Sequence, residues 1–146
     1  MAALQKLQTD EEQVVIANRD FYSALNSLDA AMMKQMWLQE DWVMCLHPGW
    51  ELLVGWEEVQ ASWDEIFRST EQMMVSVTRT LVHVMGDMAW ISCLENVTTA
   101  SKTEVSSALV EATNIYQRHQ GRWLMVHHHT TPLMQEQPPE ASTPVQ

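Results

Sequence analysis

Hydrophobic residues recur every three or four positions in the first part of the chain and tend to alternate in the last part, which predicts helices first and strands after them. Val14, Ala17, Phe21, Leu25 and Leu28 fall on one stripe of a helix that opens at Thr9, where Thr9 and Glu12 have the spacing of a capping box. A shorter helix over 29–37 has Met33, Met36 and Trp37 as its apolar side. The run 41–47 is short, apolar and stopped by Pro48-Gly49, as a strand entering a turn would be, and the break leaves Trp50 in a loop. From Gly55 a third helix gathers Val59, Ser62, Trp63, Ile66 and Phe67 on one face, with Glu57, Glu58, Asp64, Glu65 and Arg68 elsewhere.

Four strand-like segments follow, over 73–84, 88–95, 104–118 and 122–131, separated by Gly86-Asp87, a polar stretch over 98–103 and His119-Gln120-Gly121. Short connections of this kind predict an antiparallel meander. After Pro132 the chain turns to Gln, Glu, Pro, Ser and Thr, with too little apolar surface to offset the entropy of ordering. The expected division is one domain over 9–131 and a disordered tail over 132–146.

The last strand carries the most chemistry. If Gln120 and Gly121 are the central residues of a two-residue hairpin, His119 pairs with Arg122, Tyr116 with Met125, Asn114 with His127 and Ala112 with His129. Ala108, Val110, Ala112, Asn114, Tyr116, Met125, His127 and His129 then share the inner face, and His128 points outward. Small residues leave room there, while Asn114, Tyr116 and the imidazoles supply polarity, the makeup of a ligand pocket. Glu95 closes an apolar strand on a face shared with Ala89, Ile91 and Cys93, and His47 and Tyr22 are further polar groups for the mouth. Trp50, after the Pro-Gly turn, and Trp63, on the inner helix face, are the expected aromatic walls.

Composition narrows the partners. A formal charge of -11, with eight scattered Lys and Arg, argues against nucleic acid. No run reaches the roughly 18 apolar residues of a membrane span, and the N-terminus lacks a secretory pattern, so a cytoplasmic protein without a membrane partner is expected. Cys45 and Cys93 lie in apolar runs and read as buried thiols. Glycine-rich phosphate loops and nucleophile motifs are absent. A His-x-His pair on a strand lacks the closed ligand set of a specific zinc motif, so neither metal nor cofactor is expected.

Phe21-Tyr22-Ser23-Ala24-Leu25 with Asp29, His47-Pro48-Gly49-Trp50 leading to Gly55-Trp56, Ser62-Trp63, Gly86-Asp87-Met88-Ala89-Trp90, Ala112-Thr113-Asn114, Gly121-Arg122-Trp123 and the three histidines resemble, in order and spacing, the SnoaL-like branch of the nuclear transport factor 2 superfamily. The resemblance spans about 12–131 and implies an α+β cone: three N-terminal helices packed on a curved, mostly antiparallel sheet, with a pocket at the wide end and homodimers built through the outer sheet face. That face is expected to carry Leu109, Thr113, Ile115, Gln117, Leu124, Val126 and His128. Relatives include isomerases, dehydratases, cyclases and epoxide hydrolases, but also the non-catalytic association domain of calcium/calmodulin-dependent kinase, and fold alone does not choose among them.

Catalytic relatives often place an aspartate in the pocket, yet Asp41 falls at a strand start, Asp64 on a helix and Asp87 in a turn, which leaves Glu95 as the substitute. Two readings follow. One is a metal-independent lyase or isomerase that moves protons on a small apolar or carbonyl-containing substrate, with His127, His129, Glu95 and His47 as acid–base candidates and Trp50, Trp63, Asn114, Tyr116 and Tyr22 contacting the ligand. The other is a non-catalytic dimeric ligand-binding or assembly module. Plainer roles stand beside both: histidines satisfied in a core, a solvated carboxylate at a strand end, and tryptophans that fill core and interface.

Overall fold

A computed structural model describes residues 8–134. The elements in chain order are α1 (Asp10–Ser27), α2 (Ala30–Met36), β1 (Met44–Leu46), β2 (Leu53–Val54), α3 (Trp56–Ser69), β3 (Gln72–Met85), β4 (Met88–Ala100), β5 (Val105–His119) and β6 (Arg122–Pro132). The strands form one sheet in the order β2-β1-β6-β5-β4-β3, antiparallel except where β1 lies parallel to β6. The fold is α+β, with the helices against one face of the sheet.

Local chemistry sets the helix ends. Thr9 caps α1 by accepting from the Glu12 N–H at 3.1 Å while its hydroxyl reaches the Glu12 carboxylate, and Asp29 caps α2 through the Met32 N–H at 3.0 Å. Gly55 opens α3 at φ +93°, where a β-carbon would meet the Asp41 carbonyl oxygen at 3.2 Å, so both backbone conformation and space favour glycine there. Val14, Phe21 and Leu25 of α1, Met33 of α2, Trp37 and Val59 and Trp63 of α3 meet Ala89, Ile91, Cys93, Ala112 and Met125 of the sheet in one core.

β4 and β5 pair without interruption from Met88 opposite Gln117 to Ala100 opposite Val105. β4 therefore continues into the polar stretch expected to be a loop, as far as Ala100, and Glu95 stands in mid-strand, opposite Val110, rather than at a strand end. Its side chain is buried instead of solvated. β2 is a short edge element absent from the expected set, and the strand expected over 41–47 contracts to Met44–Leu46.

The β5–β6 hairpin turns on Gln120 and Gly121, both at positive φ as a tight two-residue turn requires, and His119 faces Arg122. Pairing holds as far as Tyr116 opposite Met125. The next partner of Ile115 is His127, so Val126 is left over as a β-bulge. Beyond it Asn114 faces His128 and Thr113 faces His129. The bulge overturns the expected facing: His128 enters the core, and His127 and His129 lie on the outer face. Val126 and Leu124 are buried rather than part of an open outer surface.

At the C-terminal end Pro132 still belongs to β6, and the Leu133 N–H bonds the Leu109 carbonyl at 2.9 Å. The rest of the expected tail, 135–146, lies outside the described residues. Among the described residues, 8–134, no helix is long and apolar enough to cross a membrane.

Candidate functional site

The inner face of the sheet and the helices above it border a cavity of about 370 Å³. Alternation along the strands decides its walls, because every second side chain faces inward: Met73 and Val75 of β3, Glu95, Val97 and Thr99 of β4, Ala108 and Val110 of β5, and His128 of β6. α1 contributes Leu25, α3 contributes Trp63 and Ile66, and the segment after β1 adds His47, Pro48 and Trp50. Asn26 of α1 clamps β3 by accepting from the Val75 N–H at 2.6 Å and donating to its carbonyl at 3.2 Å, which fixes one wall against the helix.

Three titratable groups border this mostly apolar space. Glu95 is only 4% exposed, and Tyr22 donates its hydroxyl to Glu95 Oε2 at 2.6 Å. Burial pushes the carboxyl from 4.5 up to about 7, and the Tyr22 bond pulls it back only in part. Burial also lowers His47 from 6.5 to about 4. His128 is held well below the ordinary histidine value by burial and then by the neighbouring imidazoles of His47, His127 and His129. At neutral pH the site thus holds two uncharged imidazoles and a carboxyl poised between its two forms.

Hydrogen bonds assign the tautomers. Ser62 gives its hydroxyl proton to the Val59 carbonyl at 2.6 Å, so its oxygen accepts from His47 Nε2–H at 2.8 Å, leaving His47 Nδ1 with a lone pair. Asn114 spends both amide protons, on Asn18 Oδ1 at 2.9 Å and on the Tyr22 oxygen at 3.1 Å. Its own Oδ1 then accepts from His128 Nδ1–H at 2.6 Å, so His128 Nε2 carries the free lone pair. Tyr116 donates to Asn18 Oδ1 at 2.7 Å and completes the network behind the wall. Asn18 and Tyr22, one helical turn apart on α1, are brought to the same spot by helix periodicity.

The aromatic rings form a second group. His47 sits edge-on to Trp63 and Trp50, with ring centroids 4.5 and 4.9 Å apart, and its ring lies 6.4 Å from His128. The structure therefore brings together Glu95, His47, Trp50 and Trp63 of the expected site residues around one cavity. Asn114 and Tyr22 stand behind it as holders of His128 and Glu95, and Tyr116 is a step deeper still. His127 and His129 are on the other side of the sheet, their nitrogens 3.4 Å from each other. His128 is the cavity histidine that alternation without a bulge assigns to the wrong face. Asn18 carried the signal of a polar residue adjoining the apolar stripe of α1, as did Ser62 within that of α3.

Cys45 and Cys93 are free and buried, as expected, and burial raises both thiols, Cys93 to about 11. Among the described residues no group of three or more His, Cys, Asp or Glu side chains is placed to hold a metal ion.

Residues 14–135 match the family model of the SnoaL-like domain. The F-box protein SKIP8 of Arabidopsis thaliana is 30% identical over 121 residues, 83% of this chain and 50% of that protein, so the chain spans about half the length of that relative. A candidate dehydratase of the nuclear transport factor 2-like family from Streptomyces avermitilis superposes with a TM-score of 0.81 at 33% identity, covering 86% of this chain and 97% of that one. A candidate calcium/calmodulin-dependent protein kinase type II association domain from Thiobacillus denitrificans gives 0.68 at 28% identity, over 81% and 93% of the two chains. With its three helices on a six-stranded sheet and a family match over most of its length, the chain belongs to the SnoaL-like family of the nuclear transport factor 2-like superfamily.

Proposed function

We propose that the cavity takes a small, largely apolar molecule bearing a carbonyl-type oxygen and moves a proton on it, with Glu95 as the group that gains and loses the proton. The observation that carries this reading is a single carboxyl, 4% exposed and shifted to about 7, lining a cavity with two neutral imidazoles. A general acid or base works best when its pKa lies near the working pH, and among the three cavity groups only Glu95 meets that condition. His128 Nε2 and His47 Nδ1, both lone-pair acceptors, suit a substrate hydroxyl or N–H. The protonated form of Glu95 suits the carbonyl oxygen on which charge develops. Apolar walls and two indoles supply the binding surface. Likeness to a candidate dehydratase at 33% identity agrees with proton-moving chemistry, in the lyase or isomerase class.

A second reading, a ligand-binding or assembly module without turnover, is favoured by the likeness to the kinase association domain. One experiment separates the two. Small ketones and enones are screened for a rise in unfolding temperature, and each binder is incubated with the protein in deuterium oxide while exchange at the carbon beside the carbonyl is followed by NMR. Proton-transfer chemistry predicts exchange that falls at least about 100-fold in Glu95→Gln while binding persists. Binding without exchange in the unsubstituted protein supports the module, and the absence of any binder removes the small-molecule reading itself.

A further inference from the structure

The bulge at Val126 divides the histidine triplet between two faces, and the two outward members form a feature of their own. His127 Nε2 and His129 Nδ1 lie 3.4 Å apart, with the rings stacked at 27° and centroids 5.6 Å apart. Side chains two apart on a regular strand point the same way, so the two rings project together from the outer face. The backbone beneath them is held from both sides. Met44 and Leu46 of β1 pair with His127 and His129 on one edge, and Ile115 and Thr113 of β5 pair with them on the other.

We propose that this pair is a chelating site for a borderline divalent transition metal, with Zn²⁺ as the reference ion, in which His127 Nε2 and His129 Nδ1 are two ligands and water fills the remaining positions. Zn–N bonds are about 2.0–2.1 Å in a tetrahedral site, which puts neighbouring ligand nitrogens about 3.3–3.4 Å apart. The observed separation of 3.4 Å is that of a tetrahedral edge, while for a hydrogen bond between two imidazoles it lies at the long end. Imidazole is a preferred ligand for zinc, copper and nickel. The site is separate from the cavity, because His128 between the pair points to the inner face, where it lines the cavity and bonds Asn114. It requires neither a substrate nor turnover.

The test is calorimetric titration of the full chain, free of any affinity tag, with zinc chloride at pH 7.5. One saturable event per chain is expected, weakened at least tenfold by His127→Gln and by His129→Gln and unchanged by His119→Gln, an exposed histidine in the same hairpin. Both substitutions sit on the outer face, so unfolding midpoints close to that of the unsubstituted chain confirm folded variants. No saturable event, or one that survives the double replacement, overturns the proposal. Ring ¹⁵N resonances provide a second readout. Zinc should move those of His127 and His129 and leave His128 in place, and shifts confined to His47 and His128 would also overturn it.

Discussion

Replacing Glu95 by Gln isolates the electrostatic consequence of burying that carboxyl. The side chain keeps its shape and can still accept from Tyr22, but it cannot ionise. In the native state the carboxyl titrates near 7, against 4.5 for the ordinary group, so the folded form holds the proton more tightly than the unfolded form. A raised carboxyl contributes stability that is fully present below about 4.5 and is lost as pH rises toward and through 7. At about 1.4 kcal/mol per pH unit of separation, the loss across that window is about 3 kcal/mol. His47 acts in the opposite sense. Lowered from 6.5 to about 4, it costs a similar amount as pH falls from about 6.5 to 4, and His128 works in the same direction. The two slopes oppose each other in the unsubstituted protein and conceal Glu95 in a single curve. The difference between two curves does not conceal it. Urea unfolding of both proteins from pH 4.5 to 8 should show the stability of Glu95→Gln gaining on the parent by about 3 kcal/mol, with most of the gain between pH 5 and 7. An offset constant to within about 0.5 kcal/mol over that range would refute the reasoning, since it would mean that Glu95 ionises as it does in water.

Tyr22→Phe removes the bond that holds the carboxylate form, so the Glu95 titration followed by carboxyl ¹³C NMR should move above 7, and a downward move would show that Tyr22 is not the stabilising partner. We also propose a homodimer through the outer face of the sheet, where Leu81, Met85, Met88 and Trp90 are exposed. Sedimentation should give a dimer at micromolar concentration that Trp90→Glu converts to a monomer, and a monomeric parent chain would remove the proposal.

The fold was legible because helix periodicity, caps and turn residues agreed with one another. Thr9 with Glu12, Pro48-Gly49 and Gln120-Gly121 each mark a boundary through a local requirement, and local requirements are visible in sequence. The candidate site was legible only in part, because it depends on long-range events. Glu95 looked like a strand end because the polar residues after it resemble a loop, yet Thr98 and Thr99 pair with Ser107 and Ser106 of β5, which no local rule reveals. Asn18 and Asn114 are 96 residues apart in the chain, and their hydrogen bond emerges only when α1 lies on β5. The histidine faces were missed for a third reason. A bulge shifts every residue after it by one position, and Val126 has an ordinary strand-former's side chain with nothing to mark it as the extra residue.

The deletion of Val126 therefore tests what holds the register of β6. Removing the bulged residue makes Met125 and His127 direct neighbours, opposite Tyr116 and Ile115, so a regular ladder forms with the same partners as before. The bonds at stake are His128 Nδ1–H to Asn114 Oδ1, at 2.6 Å, and the buried amide bonds of Asn114 to Asn18 and Tyr22. Slipping by one residue would bury His127 or His129 in place of His128 and leave Asn114 without its donor, at a cost of about 1–3 kcal/mol for each unsatisfied buried group. Keeping the register loses only the buried Val126 side chain, about 1.5–3 kcal/mol. The deletion variant should be somewhat less stable, and its histidine NMR titration should still show His128 silent, held neutral at mildly acidic pH by its burial. If His127 becomes the silent one, polar pairing with Asn114 does not set the register, and the packing of β6 between β1 and β5 decides it instead.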